Sequence, residues 1–214
     1  MVTVSDSVII QSNYRPAWNY AKLAVNWLKK TSESGETPNH IDSESCFLSF
    51  LFSSLCLEAI IAQFLTDESS QNNDDLLNTR TDLLKRWRDG VQRLCTGSAK
   101  SKTAVISILN LCREKNTYGL LVRSRNKLIH PRAYTEVIDD SGHCILEGSV
   151  SSFVSDLKAA NPGLPESKPA FPQIVKCRPA ALWVAQTMKE MVKLLYQVRE
   201  KPLEDIWNEV LQEI

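Results

Sequence analysis

Residues 46–65 read CFLSFLFSSLCLEAIIAQFL, a run of 20 residues whose only charge is Glu58. A run of this length can cross a bilayer. It suits equally a helix enclosed on every side by other helices. Three features favour the enclosed helix. Glu58 is a carboxylate that lipid would penalise. The flanks are acidic, with Asp42, Glu44, Asp67 and Glu68, and no Lys/Arg cluster anchors either end. We therefore expect a central core helix, no membrane association and a cytoplasmic location. The opening stretch MVTVSDSVIIQSNYR has no basic region followed by an apolar run, so no signal peptide is expected.

The remaining segments support the same class. Helices are predicted over residues 15–30, 42–65, 74–95, 103–112, 118–129 and 178–199, with a last one from Pro202. A short helix is expected within residues 151–160, and TEVI-DDSG-HCIL carries a hairpin signal. Only 7 glycines occur in 214 residues, and scarce glycine disfavours a fold built from tight turns. We read one all-α domain over 1–214: an N-terminal helix and loop (1–42), core helices (43–131), a loop insertion (132–177) and C-terminal helices (178–214). The tryptophans Trp18, Trp27, Trp87, Trp183 and Trp207 fall within helical patterns and are read as core.

Formal net charge is zero, which excludes a generic nucleic-acid coat and leaves room only for a local basic patch. Arg113, Lys115, Arg123, Lys127 and Arg132 could supply one if they converge; otherwise they are solvated charges. The six cysteines, Cys46, Cys56, Cys95, Cys112, Cys144 and Cys177, form no C-x-x-C pair and read as free thiols of a reducing compartment. With His40, His130 and His143 scattered, no zinc spacing emerges, and neither a metal nor a cofactor is expected.

The informative run is Leu120-Leu121-Val122-Arg123-Ser124-Arg125-Asn126-Lys127-Leu128-Ile129-His130-Pro131-Arg132. At about 100° per residue, Arg125 falls in the middle of an arc made by Tyr118, Leu121, Val122, Leu128 and Ile129. An arginine there needs a buried partner, a cleft or a subunit interface. Arg123 and Lys127 fall on the far side, where solvated charges belong. His130 precedes Pro131, a position that disfavours helical backbone, so the helix should end there. Asn126 lies one turn earlier and can hydrogen-bond His130, fixing its tautomer.

A fixed cation, an orienting amide and an imidazole are the groups that RNA cleavage by internal transfer needs. A base removes the ribose 2′-hydroxyl proton, a cation stabilises charge on the phosphate, and an acid protonates the leaving 5′-oxygen. Arginine's fork matches two phosphate oxygens. No Asp/Glu cluster of the Mg²⁺-dependent kind surrounds the motif, which favours a metal-free route. A second reading makes Arg125 a buried arginine paired with Glu58 and His130 a helix C-cap. The two readings are compatible, since a carboxylate can position a guanidinium.

Arg-x4-His with Asn directly after Arg and Pro after His resembles the signature of HEPN domains, and Arg125-Asn126-Lys127-Leu128-Ile129-His130 matches it position by position. Leu57-Glu58-Ala59 is similar to the acidic spot that many of these domains carry, and the helix over 178–199 fits their usual arrangement. The resemblance covers roughly residues 43–132 plus that helix. It implies a bundle of four or five main helices, a homodimer that joins two motifs in one cleft, and metal-independent endoribonuclease activity. It also implies an effector or toxin of a toxin–antitoxin or antiviral defence system.

On this reading Arg125, Asn126 and His130 are catalytic, Arg123, Lys127 and Arg132 bind RNA, and Glu58 supports Arg125. One branch of the family carries a tyrosine two positions after the histidine, which a nucleotidyltransferase antitoxin modifies. Here Arg132 occupies that position and the nearest tyrosine is Tyr134, so that form of regulation is not expected. An antitoxin or defence partner protein of another kind remains an expected partner. The alternative is a non-catalytic HEPN module that binds RNA or a partner protein.

Overall fold

The computed structural model describes residues 16–31, 40–67, 73–78, 82–129, 136–138, 144–146, 149–161, 163–164 and 173–214. In chain order the elements are α1 (Pro16–Lys29), α2 (His40–Asp67), α3 (Asp74–Leu77), α4 (Leu83–Leu94), α5 (Ala99–Leu111) and α6 (Thr117–Ile129). Two short strands follow, β1 (Glu136–Ile138) and β2 (Cys144–Leu146), then α7 (Ser149–Ala160), a 3-10 turn at Gln173–Val175, α8 (Arg178–Val198) and α9 (Asp205–Gln212). The class is all-α. β1 and β2 pair antiparallel, with Glu136 opposite Leu146 and Ile138 opposite Cys144. Residues 139–143 between them lie outside the described residues.

α2 has 28 residues and is therefore about 42 Å long at ~1.5 Å per residue. It is the inner helix of the bundle. α1 runs antiparallel along it: Leu28 clusters with Cys46 near the start of α2, Tyr20 stacks on Phe52 with ring centroids 6.2 Å apart, and the Cys56 thiol meets the Ala21 backbone. Ala17, Ala21 and Ala24 line the buried face of α1. Small side chains there let the two helices approach closely.

α8 runs parallel to α2 on another side. Ala181 and Ala185 cluster with Cys46 at one end, and Tyr196 meets Phe64 edge to face at 5.2 Å at the other. α4 packs against the C-terminal half of α2 through Gly90, where a Cβ would stand 3.3 Å from Leu65. Among the described residues α2 is the one helix long and apolar enough to cross a membrane. In this fold α1, α4, α6 and α8 pack against it, and 56% of its apolar stretch is buried.

The single helix expected over residues 74–95 is two helices. α3 stops at Leu77, and Asn78 adopts an extended backbone with φ −57° and ψ 131°. Asp82 then opens α4 as an N-cap, its carboxylate accepting from Lys85 N at 3.1 Å. The break frees the carbonyls of Leu76 and Asn78, and the Arg86 guanidinium donates to both, at 2.8 and 3.2 Å. Asn73 ties α3 back to α2 by donating to Leu65 O at 2.8 Å.

Other boundaries moved for local reasons. α5 begins at Ala99 rather than 103 because Ser98 caps it, accepting from Ser101 N at 3.1 Å. α9 begins at Asp205, three residues after Pro202, with Glu204 in its N-cap position. Trp87 and Trp207 are buried and Trp18 and Trp183 are partly buried against the same core. Trp27 is half-buried, with Lys30 Nζ 4.0 Å above its ring.

Both ends of the described chain meet. α9 lies along α1, where Trp18 Nε1 donates to Ile206 O at 3.2 Å and Lys29 pairs with Glu213 at 2.6 Å. α8 closes with a Schellman-type turn: Lys201 N donates to Tyr196 O and Glu200 N to Gln197 O, both at 3.1 Å. Glu200 occupies the left-handed position there, with φ 52°. Its carboxylate accepts from Ser98 Oγ at 2.7 Å and Thr96 Oγ1 at 2.8 Å, joining the end of α8 to the start of α5.

Candidate functional site

α6 carries Arg125 on a face that also holds Tyr118, Leu121 and Val122, all three buried. This is the arc the helical spacing defines. α2 carries Glu58 on the side that meets α6, and α4 carries Arg86 beside it. Arg125 Nη2 donates to Glu58 Oε2 at 2.8 Å, and Arg125 Nη1 donates to Asn126 Oδ1 at 3.1 Å. Arg86 Nη1 stands 3.8 Å from Glu58 Oε1. The three charged groups thus place two guanidiniums on one carboxylate, an excess of one positive charge.

Burial is graded across the cluster. The side chain of Arg86 is 8% exposed, that of Arg125 20% and that of Glu58 33%. The site therefore has a closed back at α4 and an accessible front. Tyr118 lies deeper on α6, edge-on to Trp87 with centroids 5.5 Å apart. Burial pushes its phenol well above the usual tyrosine range; Cys112 and Glu58 add to that rise, and Arg125 and Arg86 oppose it. The phenol stays protonated and adds no charge to the cluster.

The guanidinium of Arg125 is oriented before any ligand arrives. A cation held in this way stabilises developing negative charge without reorganising. Asn126 Oδ1 accepts from Arg125, which leaves the amide NH₂ as its donor. In the sequence, Leu128, Ile129, His130, Pro131 and Arg132 carry the rest of the expected motif. The side chains of Leu128 and Ile129, and His130, Arg132 and Tyr134 altogether, lie outside the described residues.

Arg123 and Lys127 are not gathered with Arg125. They face α7, where Arg123 lies 4.9 Å and Lys127 5.2 Å above the ring of Phe153. Arg123 also pairs with Asp156 at 3.6 Å and Glu114 at 3.7 Å. The far side of α6 is not the solvated face that the helical spacing predicts: it packs against α7, and Arg123 is only 28% exposed. Lys115 reaches the same Asp156 at 3.6 Å. Arg123 and Lys115 thus share Asp156, and Arg123 also meets Glu114, on the side of α6 away from Arg125; Lys127 lies beside them over Phe153.

Sequence reasoning missed Arg86 and Asp156. Arg86 sits about 90° from the centre of the arc formed by Leu83, Trp87, Gly90, Val91 and Leu94, a wheel position at the margin of the buried face. That is a weaker sign than Arg125's central place. No family model, no curated protein and no solved structure matches the chain.

Proposed function

We propose that the chain is a metal-independent endoribonuclease of the HEPN type, an effector or toxin of a prokaryotic toxin–antitoxin or antiviral defence system. One observation carries this reading: Arg125, fixed by Glu58 from α2 and by Asn126, stands one turn before the end of α6, where His130-Pro131 follows in the sequence. In a homodimer the Arg125 side chains of both protomers bind the scissile phosphate. His130 of one protomer takes the proton of the ribose 2′-hydroxyl as its oxygen attacks phosphorus. His130 of the other gives a proton to the departing 5′-oxygen. The bond to that oxygen breaks, and the products end in a 2′,3′-cyclic phosphate and a 5′-hydroxyl. Asn126 orients the imidazole through its amide NH₂.

The test is incubation of purified protein with single-stranded RNA in EDTA, with end-group analysis of the fragments. Cleavage in EDTA that yields cyclic phosphate ends, and is lost in His130→Ala, is the expected result. Cutting only with added Mg²⁺, or His130→Ala cutting as fast as the parent, overturns it.

A second reading draws on the same cluster. Glu58 and Arg86 together make Arg125 a brace between α2, α4 and α6, which suits a non-catalytic HEPN module that binds RNA or a partner protein. RNA retained in a shift assay but never cut, with and without EDTA, selects this alternative.

A further inference from the structure

Two arginine–carboxylate pairs in this molecule close differently. Arg93 meets Asp75 fork on fork, Nη1 to Oδ1 and Nη2 to Oδ2, both at 2.8 Å. Arg125 meets Glu58 through one oxygen only, Nη2 to Oε2. The other oxygen, Oε1, points to Arg86. Arg86 is not placed by Glu58: its Nε and Nη2 are held by the Leu76 and Asn78 carbonyls that the α3–α4 break releases. It is a buried cation anchored to backbone, and Glu58 stands between it and Arg125.

We infer that Arg86 is a positioning residue for Arg125. By drawing Oε1 toward itself it keeps Glu58 from closing both oxygens on Arg125, so the motif arginine is oriented without being neutralised. Two opposite demands on Arg125 are met together: a fixed direction needs a carboxylate, and attraction for a phosphate needs uncompensated charge. In the absence of Arg86, Glu58 and Arg125 would form the closed pair seen at Arg93 and Asp75. The effect on rate rests on the ribonuclease reading; the effect on the Arg125 guanidinium does not.

Arg86→Met removes the charge and keeps the length of the side chain. In a cleavage assay it should lower kcat by about 10²-fold, the scale of a small misplacement at a reacting centre. Arg86→Lys, which restores the charge, should recover part of that loss. In a Glu58→Gln background Arg86→Met should have no further effect on kcat, because the group it acts through is gone. A merely structural role would give the same loss in both backgrounds, and that result overturns the inference.

The second measurement is independent of cleavage. In ¹⁵N–¹H spectra the Nε–H signal of Arg125 should move on Arg86→Met, and the Nε–H signals of Arg86 and Arg125 should both move on Glu58→Gln. An Arg86 signal unmoved by Glu58→Gln overturns the inference, and this arm stands even where Arg86→Met does not fold. A wild-type protein that never cuts RNA refutes the ribonuclease reading and leaves the spectra to decide Arg86.

Discussion

Arg125 and Glu58 each occupy a place where a charge is costly, one in the middle of the buried arc of α6 and one in the apolar run of α2. Their pairing at 2.8 Å follows from that cost, and it was legible in the sequence because each needed a partner, Glu58 being the candidate for Arg125 and Arg125 or another arginine of the bundle the candidate for Glu58. Arg125→Lys keeps the charge and loses the fork, so cleavage should fall with little change in fold. His130→Ala should lose about 10²–10⁴-fold in rate, the usual worth of a proton-transfer group. Initial rates on single-stranded RNA check both. Glu58→Ala leaves two neighbouring guanidiniums without their carboxylate. It should destabilise the protein by about 2 kcal/mol, less than a fully buried pair because Glu58 is 33% exposed. Urea unfolding measures this, and an unchanged midpoint would refute it. Arg86 was not legible, because its strongest partners are carbonyls that become available only once α3 and α4 separate.

Among the elements, periodicity found the helices and missed one junction. Leu76, Leu77, Leu83 and Leu84 share a helical spacing, so residues 74–95 read as continuous; the competing signal was Asp82, an N-cap inside the pattern. The α5–α6 turn falls in the gap expected between residues 112 and 118, and its tightness gives a prediction. A Cβ on Gly119 would collide with the carbonyl of Arg113. Gly119→Ala, which normally favours a helix by about 1 kcal/mol, should here lower the melting temperature; a rise would show that the turn yields.

Glu200 supplies a pH test. Its hydrogen bonds from Ser98 and then Thr96 hold its carboxyl below the usual glutamate range. A depressed folded-state value adds stability above the unfolded value, and that stability is lost as pH falls through the folded one. The acid loss of stability should therefore be smaller in Glu200→Gln, as stability measured against pH below the usual glutamate range will show. Equal losses would exclude Glu200 as a contributor.

For the whole molecule, the apolar run was legible as an inner helix because Glu58 and the acidic flanks disfavour lipid. What could not be read was which helices cover it, since no local pattern specifies that α8 lies parallel to α2 or that α9 returns to α1. The protein should leave membranes on alkaline carbonate washing, and retention in the pellet would contradict the enclosed helix. Light scattering at tens of micromolar should report a dimer, because the ribonuclease reading needs two motifs in one cleft; a monomer with and without RNA would sink that reading.

The parallel pairing of α2 with α8 also has a consequence for synthesis. α2 ends at Asp67 and its cover ends at Val198. At roughly 5–20 residues per second, the ribosome needs on the order of ten seconds to make the chain between them. For that interval the most apolar of the described helices exists without its longest neighbour, and the face that α8 will cover stays open while α1, α4 and α6 are already made.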